Sequence, residues 1–314
     1  MKIKAFLGFS WLRDLAVLLF GTTTVLFFLL RLAGDPAIVI AGQDASDAQL
    51  AEVRAQYGLD RPLPLQYFAY LGRLLRLDLG NSLADGTPAL EKVLAAYPAS
   101  LLLGALAMAL ALVLAVPSGT WLAARPAGAG QRVARWIIFM LQGTPGFVLA
   151  LLLVQVFAIK LAWLPAIGFG DARSWVLPTL SVASFLVPKL TRMVEANVGA
   201  ELQASYVRTA RAIGATEREV LLRHVLPNAL LGLIALVGAQ LAFIVTGLVI
   251  IETLFAWPGI GWLLVQSTMN LDFPVVQAIT LVIVATVFVI NTIAELLQRR
   301  FDPRVRQATA RGVA

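Results

Sequence analysis

Apolar residues along this chain fall into six long runs separated by polar stretches. The runs cover 15–32, 99–124, 133–159, 175–194, 229–251 and 275–294. An apolar stretch of about 18 residues or more crosses a bilayer core of about 30 Å as a helix. A membrane strand would alternate apolar and polar positions, and runs such as Leu149 to Phe157 do not. The pattern therefore predicts an all-α polytopic membrane protein with six transmembrane helices. The fourth run is the weakest, since only 14 residues separate Trp175 from Pro188 inclusive before Lys189, and they include Pro178 and Pro188.

Two polar stretches carry order of their own. In 33–98, Ser46-Asp47-Ala48-Gln49 has the form of a capping box, and Gly58 can end the helix it opens. A second helix over Leu63 to Leu79 places Phe68, Leu71 and Leu75 on one face. That face would lie in the membrane interface or cover the ends of the spans. In 195–228, a helix from Leu202 to Ile213 is stopped by Gly214. Thr216 and Glu219 then form a second capping box, a helix runs from Glu217 to Leu226, and Pro227 meets the fifth span. Helix, tight glycine turn and helix between two spans read as a stiff projecting element suited to docking.

Composition agrees with the pattern. Hydrophobic residues make up 59% of the 314 and charged residues 14%, against about 25% charged in soluble domains. That excludes a soluble enzyme and a disordered chain, and the lack of cysteine excludes a disulfide scaffold. The net charge of +7 is informative through its location. With six spans and a cytoplasmic N-terminus, 17 of the 25 Lys and Arg residues flank or lie in inside segments and 7 lie outside. The positive-inside rule thus favours both termini in the cytoplasm and retention of the fourth span. Residues 1–32 read as an uncleaved first span, because Arg31 interrupts the site where small residues would precede cleavage. No basic run with interleaved aromatics suggests nucleic acid.

Catalytic signatures are missing. The chain has no GxxxxGK[ST], GxSxG, HExxH or SxxK, and His224 is its one histidine, so an enzyme or a zinc site is not expected. The polar span residues Gln142, Thr144, Gln155, Gln240, Thr246 and Asn291 serve either as interhelical hydrogen-bonding groups or as the lining of a polar passage. Gln240 and Thr246 are the best passage candidates, since one span presents both; Gln142 and Asn291 complete the set. No carboxylate sits at mid-span, where ion-coupled carriers keep theirs. Energy must come from a partner, or the chain is a passive channel.

The inside segment also carries a family pattern. Tyr206-Val207-Arg208-Thr209-Ala210-Arg211-Ala212-Ile213-Gly214 followed by Val225-Leu226-Pro227-Asn228-Ala229-Leu230 resembles the EAA loop of binding-protein-dependent ABC importer permeases. Its Thr-Ala-Arg-Ala form is similar to the dipeptide, oligopeptide and nickel branch. Gly34-Asp35-Pro36-Ala37, Tyr57-Gly58-Leu59-Asp60-Arg61-Pro62, Asp78-Leu79-Gly80-Asn81-Ser82, Leu164-Pro165-Ala166-Ile167-Gly168 and the stretch from Glu252 to Gly261 extend the likeness over essentially the whole chain. The resemblance implies a type I importer permease fold and half of a pore shared with a second homologous permease. It also implies two cytoplasmic ATPase subunits, which hold ATP and Mg while this chain holds no cofactor, and an extracytoplasmic solute-binding protein. It makes Arg208, Thr209, Ala210, Arg211, Gly214, Ala215, Glu217 and Pro227 the ATPase-coupling residues. The usual glutamate of the loop is Arg208 here, so a salt bridge relying on it does not carry over.

The expected organisation is a tail and first span (1–32), an extracytoplasmic segment (33–98), a five-helix core (99–297) containing the loop 195–228, and a basic cytoplasmic tail (298–314). Embedded in inner-membrane lipid, the protein would import di- or oligopeptides. A nickel or metal-chelate permease of the same branch is the alternative, and an ion-coupled carrier or channel is the alternative from another class.

Overall fold

The computed structural model describes residues 9–42, 45–125 and 128–301. Lys2, Lys4, Arg304, Arg306 and Arg311, on which part of the charge argument rests, lie outside the described residues. Among those residues all regular structure is helical, apart from one isolated bridge between Asn81 and Pro88. This is what a chain whose solvent is hydrocarbon must do, because lipid offers no partner to a backbone N–H or C=O.

Three helices are long and apolar enough to cross a membrane: Trp11–Leu32, Ala89–Ala124 and Phe273–Phe301. Two bent pairs bring the number to five if each is one span. The third apolar run is one of these pairs. Its helices, Ala129–Gly143 and Gly146–Lys160, meet at 105°. Pro145 has no N–H and holds the preceding residue in extended backbone, and Thr144 has φ −93° and ψ 126°. The fifth run is the other pair, Glu217–Leu231 and Leu233–Gly247, bent by 49°. The fourth run forms a 27-residue helix, Val176–Leu202, which is not among the helices apolar enough to cross a membrane. It is enclosed by protein: Leu177, Val182, Leu186, Leu190 and Val198 are fully buried, together with Ser181 and Thr191. A helix so enclosed does not need an apolar outer surface. Its Lys189 ammonium lies 5.8 Å and 5.2 Å from the ring centres of Phe185 and Phe243, where the ring faces attract it.

The chain divides into two compact units. The first holds residues up to Ser100 and Trp257–Phe288. We label its leading helices α1 (Phe9–Ala33), α2 (Pro36–Ala41), α3 (Asp47–Tyr57) and α4 (Leu63–Leu74). The capping box of Ser46 and Gln49 is present, and Gly58 closes α3 at φ +66°. The expected apolar face of α4 is not covered: Phe68 and Leu75 are exposed, and the buried side is marked by Tyr70 instead. A core of Ala89, Val93, Ile260, Val275, Ala278 and Ile279 is tied down by polar pins. The Trp257 indole N–H donates to the Ala99 carbonyl at 2.9 Å, the Ile260 amide donates to Ser100 Oγ at 2.8 Å, and Ser82 and the Leu83 amide both donate to Asp272.

The second unit holds Leu101–Ala256 and the chain beyond Val289. It contains the C-terminal part of α5 (Ala89–Ala124), then α6 (Ala129–Gly143), α7 (Gly146–Leu153, continued by a π-helical turn to Lys160) and α8 (Val176–Leu202). Leu103, Ala107, Ala111 and Ala115 recur every fourth residue on α5 and are all fully buried. Small residues such as the three alanines let helix backbones approach closely. Gly119 continues the row, and a Cβ there would stand 2.7 Å from the Thr191 carbonyl oxygen and from Val194 Cβ. A Cβ on Gly238 would stand 2.2 Å from Ala294 Cβ. Gly119→Ala and Gly238→Ala are each expected to destabilise by about 1–3 kcal/mol through overpacking. Gly143→Ala, with nothing within 4 Å of the added carbon, should leave the melting temperature of the detergent-solubilised chain unchanged.

Candidate functional site

The segment that follows α8 is built from local chemistry. At Gln203 and Ala204 the helix gives way, Ala204 taking extended backbone at φ −67° and ψ 150°. Helix α9 then runs Ser205–Ala212. The expected start at Leu202 is corrected by three residues, because α8 itself runs on to Leu202. Val207 and Ala210 form the buried face of α9, and Arg208, Thr209 and Arg211 form its outer face.

Gly214 ends α9 as the spacing predicts. At φ +92° it occupies backbone that side chains disfavour. The Ala215 N–H donates to the Ala210 carbonyl and the Gly214 N–H to the Arg211 carbonyl, both at 3.1 Å. This pair of bonds is the Schellman closure, which satisfies two carbonyls at the end of the helix. One residue later the capping box closes from the other side. The Glu219 N–H donates to Thr216 Oγ1 at 3.3 Å, and the Thr216 N–H and hydroxyl donate to Glu219 Oε2 at 3.0 Å and 2.9 Å. The Arg211 guanidinium then bridges the turn with two parallel bonds to Glu217, at 2.7 Å and 3.0 Å. Such a fork is directional as well as strong.

The second helix begins as α10 (Glu217–Glu219), passes through a π-helical turn (Val220–Val225) and continues as α11 (Leu226–Leu231). It thus outlasts the expected end at Leu226. Pro227 does not mark the junction with the fifth span, because the bend falls between Leu231 and Leu233. Pro227 supplies no N–H, and the ladder shifts just before it to bonds one residue longer, Leu226 N–H reaching Leu221 O. At the base, the Tyr206 hydroxyl donates to Glu201 at 2.5 Å. Asn228 Nδ2 donates to the His224 carbonyl at 2.8 Å and reaches the Tyr206 hydroxyl at 3.4 Å. Asn197 Nδ2 donates to the Ala229 carbonyl at 2.9 Å. Arg135 on α6 holds both Glu195 at 2.8 Å and the Leu122 carbonyl at 3.1 Å.

Of the sequence-predicted docking residues, the turn brings together Ala210, Arg211, Gly214, Ala215 and Glu217. Arg208 and Thr209 stand on the outer face of α9, and Pro227 lies apart at the base. A cleft of about 1200 Å³ separates the turn from the end of α5, with Arg125, Arg208, Arg211 and Arg218 against Glu217 on its walls. Sequence reasoning missed Ile213, which is 81% exposed at the tip. Its signal was an isoleucine directly before a helix-ending glycine. The four passage candidates are not assembled into one hydrogen-bonded group among the described residues. Gln142 accepts from Arg192 at 2.9 Å and Thr246 donates to the Phe243 carbonyl of its own helix at 2.9 Å. Asn291 is exposed, and Gln240 Oε1 is buried without a partner.

Both carboxyls of the turn lie below the ordinary glutamate range, ahead of the apolar run that starts at 229. The Arg211 fork lowers Glu217, and the Thr216 N–H, with its hydroxyl, lowers Glu219. A carboxyl depressed in the folded state stabilises it above the ordinary value of 4.5, and that contribution is lost as pH falls through the lowered value. Amide exchange at Gly214 and Ala215, corrected for its intrinsic pH dependence, should therefore be slow and constant above about pH 5 and accelerate on further acidification. At neutral pH, Gly214→Val should speed it by about tenfold, since a β-branched residue at positive φ costs about 1–2 kcal/mol.

With this geometry in hand, known proteins provide a comparison. The family described as binding-protein-dependent transport system inner membrane component matches residues 115–307, and the N-terminal family of such membrane components matches 10–104. The chain is 33% identical over 304 residues to the glutathione transport system permease protein GsiC of Pectobacterium atrosepticum, covering 97% of this chain and 98% of that protein. It is 34% identical over 283 residues to the protein of the same name from Escherichia coli, covering 90% and 92%. Two solved structures share its fold. One is an inward-facing form of the MetNI methionine ABC transporter, with TM-score 0.58 and 19% identity over 67% of this chain and 96% of that one. The other is an amino acid ABC transporter with histidines, with TM-score 0.52 and 16% identity over 67% and 94%.

Proposed function

This chain belongs to the family of binding-protein-dependent transport system inner membrane components, and we propose from that premise that it forms half of the pore of a peptide importer. It is a permease subunit of an ABC importer, a multi-pass protein of the inner membrane and a transport subunit rather than an enzyme. The reading that its cargo is a di- or oligopeptide is supported by relatives named for glutathione transport, glutathione being a small peptide. The remaining parts of the proposal are six spans with both ends in the cytoplasm, a second similar permease completing the pore, two ATPases inside, and a solute-binding protein outside.

The observation that carries the coupling role is the closed turn with Ile213 exposed at its tip. Arg208, Thr209, Arg211 and Glu217 offer polar contacts around that apolar tip, Gly214, Ala210 and Ala215 hold the turn's backbone, and Pro227 sets the register at its base. ATP and Mg sit on the partner ATPases in this reading. When those subunits close, an element bonded on both sides of its turn moves as one body and transmits displacement instead of absorbing it. The Tyr206, Asn228 and Asn197 bonds pass that displacement to α8 and α11. Gln240 and Thr246, with Gln142 and Asn291, are the residues we assign to the passage.

Proteoliposomes holding this chain, its partner permease, both ATPases and a binding protein loaded with labelled dipeptide provide the test. Uptake should require ATP and the binding protein, and Ile213→Glu should lower it at least about tenfold, the scale of losing one well-buried apolar contact. Uptake by this chain alone on an ion gradient, without ATP, would overturn the proposal.

A further inference from the structure

A second cavity, of about 650 Å³, lies within the first unit, and its size falls in the range of small-ligand sites. Its walls come from the end of α1, from α4, from the loop around 78–86 and from the start of α12 (Phe273–Phe301). Three arginines, Arg31, Arg61 and Arg73, line it against one acidic residue, Asp78.

That carboxylate is engaged in its own turn, accepting from the Gly80 N–H at 2.9 Å. Asp35, whose charge also acts on Arg31, is held by Arg54 at 2.7 Å and 3.0 Å and by the Ala37 N–H at 2.9 Å. Among the described residues no ion pair joins Arg31, Arg61 or Arg73. Two donors on the wall are buried with no partner at all, Arg31 Nε and the Tyr70 hydroxyl. Gln66 takes one Arg31 N–H at 2.9 Å, and its own amide is used up on the Leu59 and Arg61 carbonyls at 2.9 Å and 2.8 Å. Phe27 holds both orphan donors in position: the Arg31 guanidinium lies 5.0 Å from its ring centre and Tyr70 stacks on it at 5.6 Å. Burial pushes the Tyr70 hydroxyl up to about 12, with Arg73 pulling the other way, so at neutral pH it keeps its proton and can donate it.

Unmet buried donors are costly, and a site with excess positive charge and orphan donors is matched by an acceptor that carries negative charge. We propose that this cavity binds a small organic oxyanion, a carboxylate or phosphate, that accepts from Arg31 and Tyr70 while Arg61 and Arg73 balance its charge. Phe27, Leu65 and Phe273 form apolar wall for its carbon skeleton. A soluble peptide's terminal carboxylate and the phosphate of an anionic lipid headgroup share this chemistry.

The test uses the full chain, purified in uncharged detergent for calorimetry and in nanodiscs for lipid retention. The soluble probes are alanyl-alanine as free acid, its C-terminal amide, and inorganic phosphate. The lipid probe is phosphatidylglycerol in phosphatidylcholine nanodiscs, with retained lipid read by mass spectrometry. Saturable binding of the free acid or of phosphate, with the amide at least about tenfold weaker, identifies a soluble oxyanion. Selective retention of phosphatidylglycerol identifies a headgroup. Either result supports the site if Arg61→Gln and Arg73→Gln each weaken binding about tenfold and Tyr70→Phe, which preserves the ring stack, also weakens it, while Arg76→Gln does not. Arg61 is exposed, so its replacement does not threaten folding. Failure of all these probes to bind, or binding indifferent to Arg61→Gln, Arg73→Gln and Tyr70→Phe, overturns it.

Discussion

Hydrocarbon cannot hydrogen-bond to a peptide group, so each backbone N–H and C=O within the membrane must find its partner inside the protein. That constraint makes every span a helix, and it gives meaning to the places where the regular ladder fails. In the second unit these are the break at Thr144 and Pro145 and the π-helical turn at Val154–Lys160, while the turn at Gly214 and the π-helical turn at Val220–Val225 lie in the polar segment ahead of the fifth apolar run. At Gly214 and beside Pro227, turn bonds and side chains take up part of what is freed. The Schellman bonds and the Thr216–Glu219 box close the first, and Asn228 takes the His224 carbonyl at the second. The polar residues of the loop therefore do more than dissolve it. They supply part of what a continuous helix would have supplied.

The same accounting explains why the loop is stiff. A glycine turn with no other restraint is a hinge. Here the Arg211 fork to Glu217 spans the turn, and Val207, Ala210, Val220 and Val225 are buried beneath it. The base is tied to α8 through Tyr206 and Asn197. The tip offers Ile213 outward with no cover. A stiff support bearing an exposed apolar tip is consistent with the docking role proposed for it.

Local chemistry was legible in the sequence, and long-range arrangement was not. Ser46 with Gln49, Thr216 with Glu219, Gly58 and Gly214 all act over a few residues, so spacing alone identified both capping boxes and both helix ends. The third apolar run was read as one span, although its helices meet at 105°, because hydropathy records depth preference and not direction. Pro145 was the available signal. The enclosed fourth helix looked weak since its neighbours are protein, a fact that no window of its own residues contains. The cavity in the first unit was invisible for a related reason. Arg31, Arg61, Tyr70 and Phe273 come from separate segments, and no motif spacing connects them. Ile213 stood in plain view within the recognised pattern, but exposure is a property of the folded turn.

The proposed coupling places the motor on the Gly214 turn. The chain contains no cysteine, so Ile213→Cys provides a single thiol for a maleimide-linked photo-crosslinker in the assembled importer. A covalent product between this position and an ATPase subunit is expected, with loss of maleimide reactivity when the ATPases are bound. A thiol at this position that reacts equally well with and without the ATPases, and yields no such product, would contradict it.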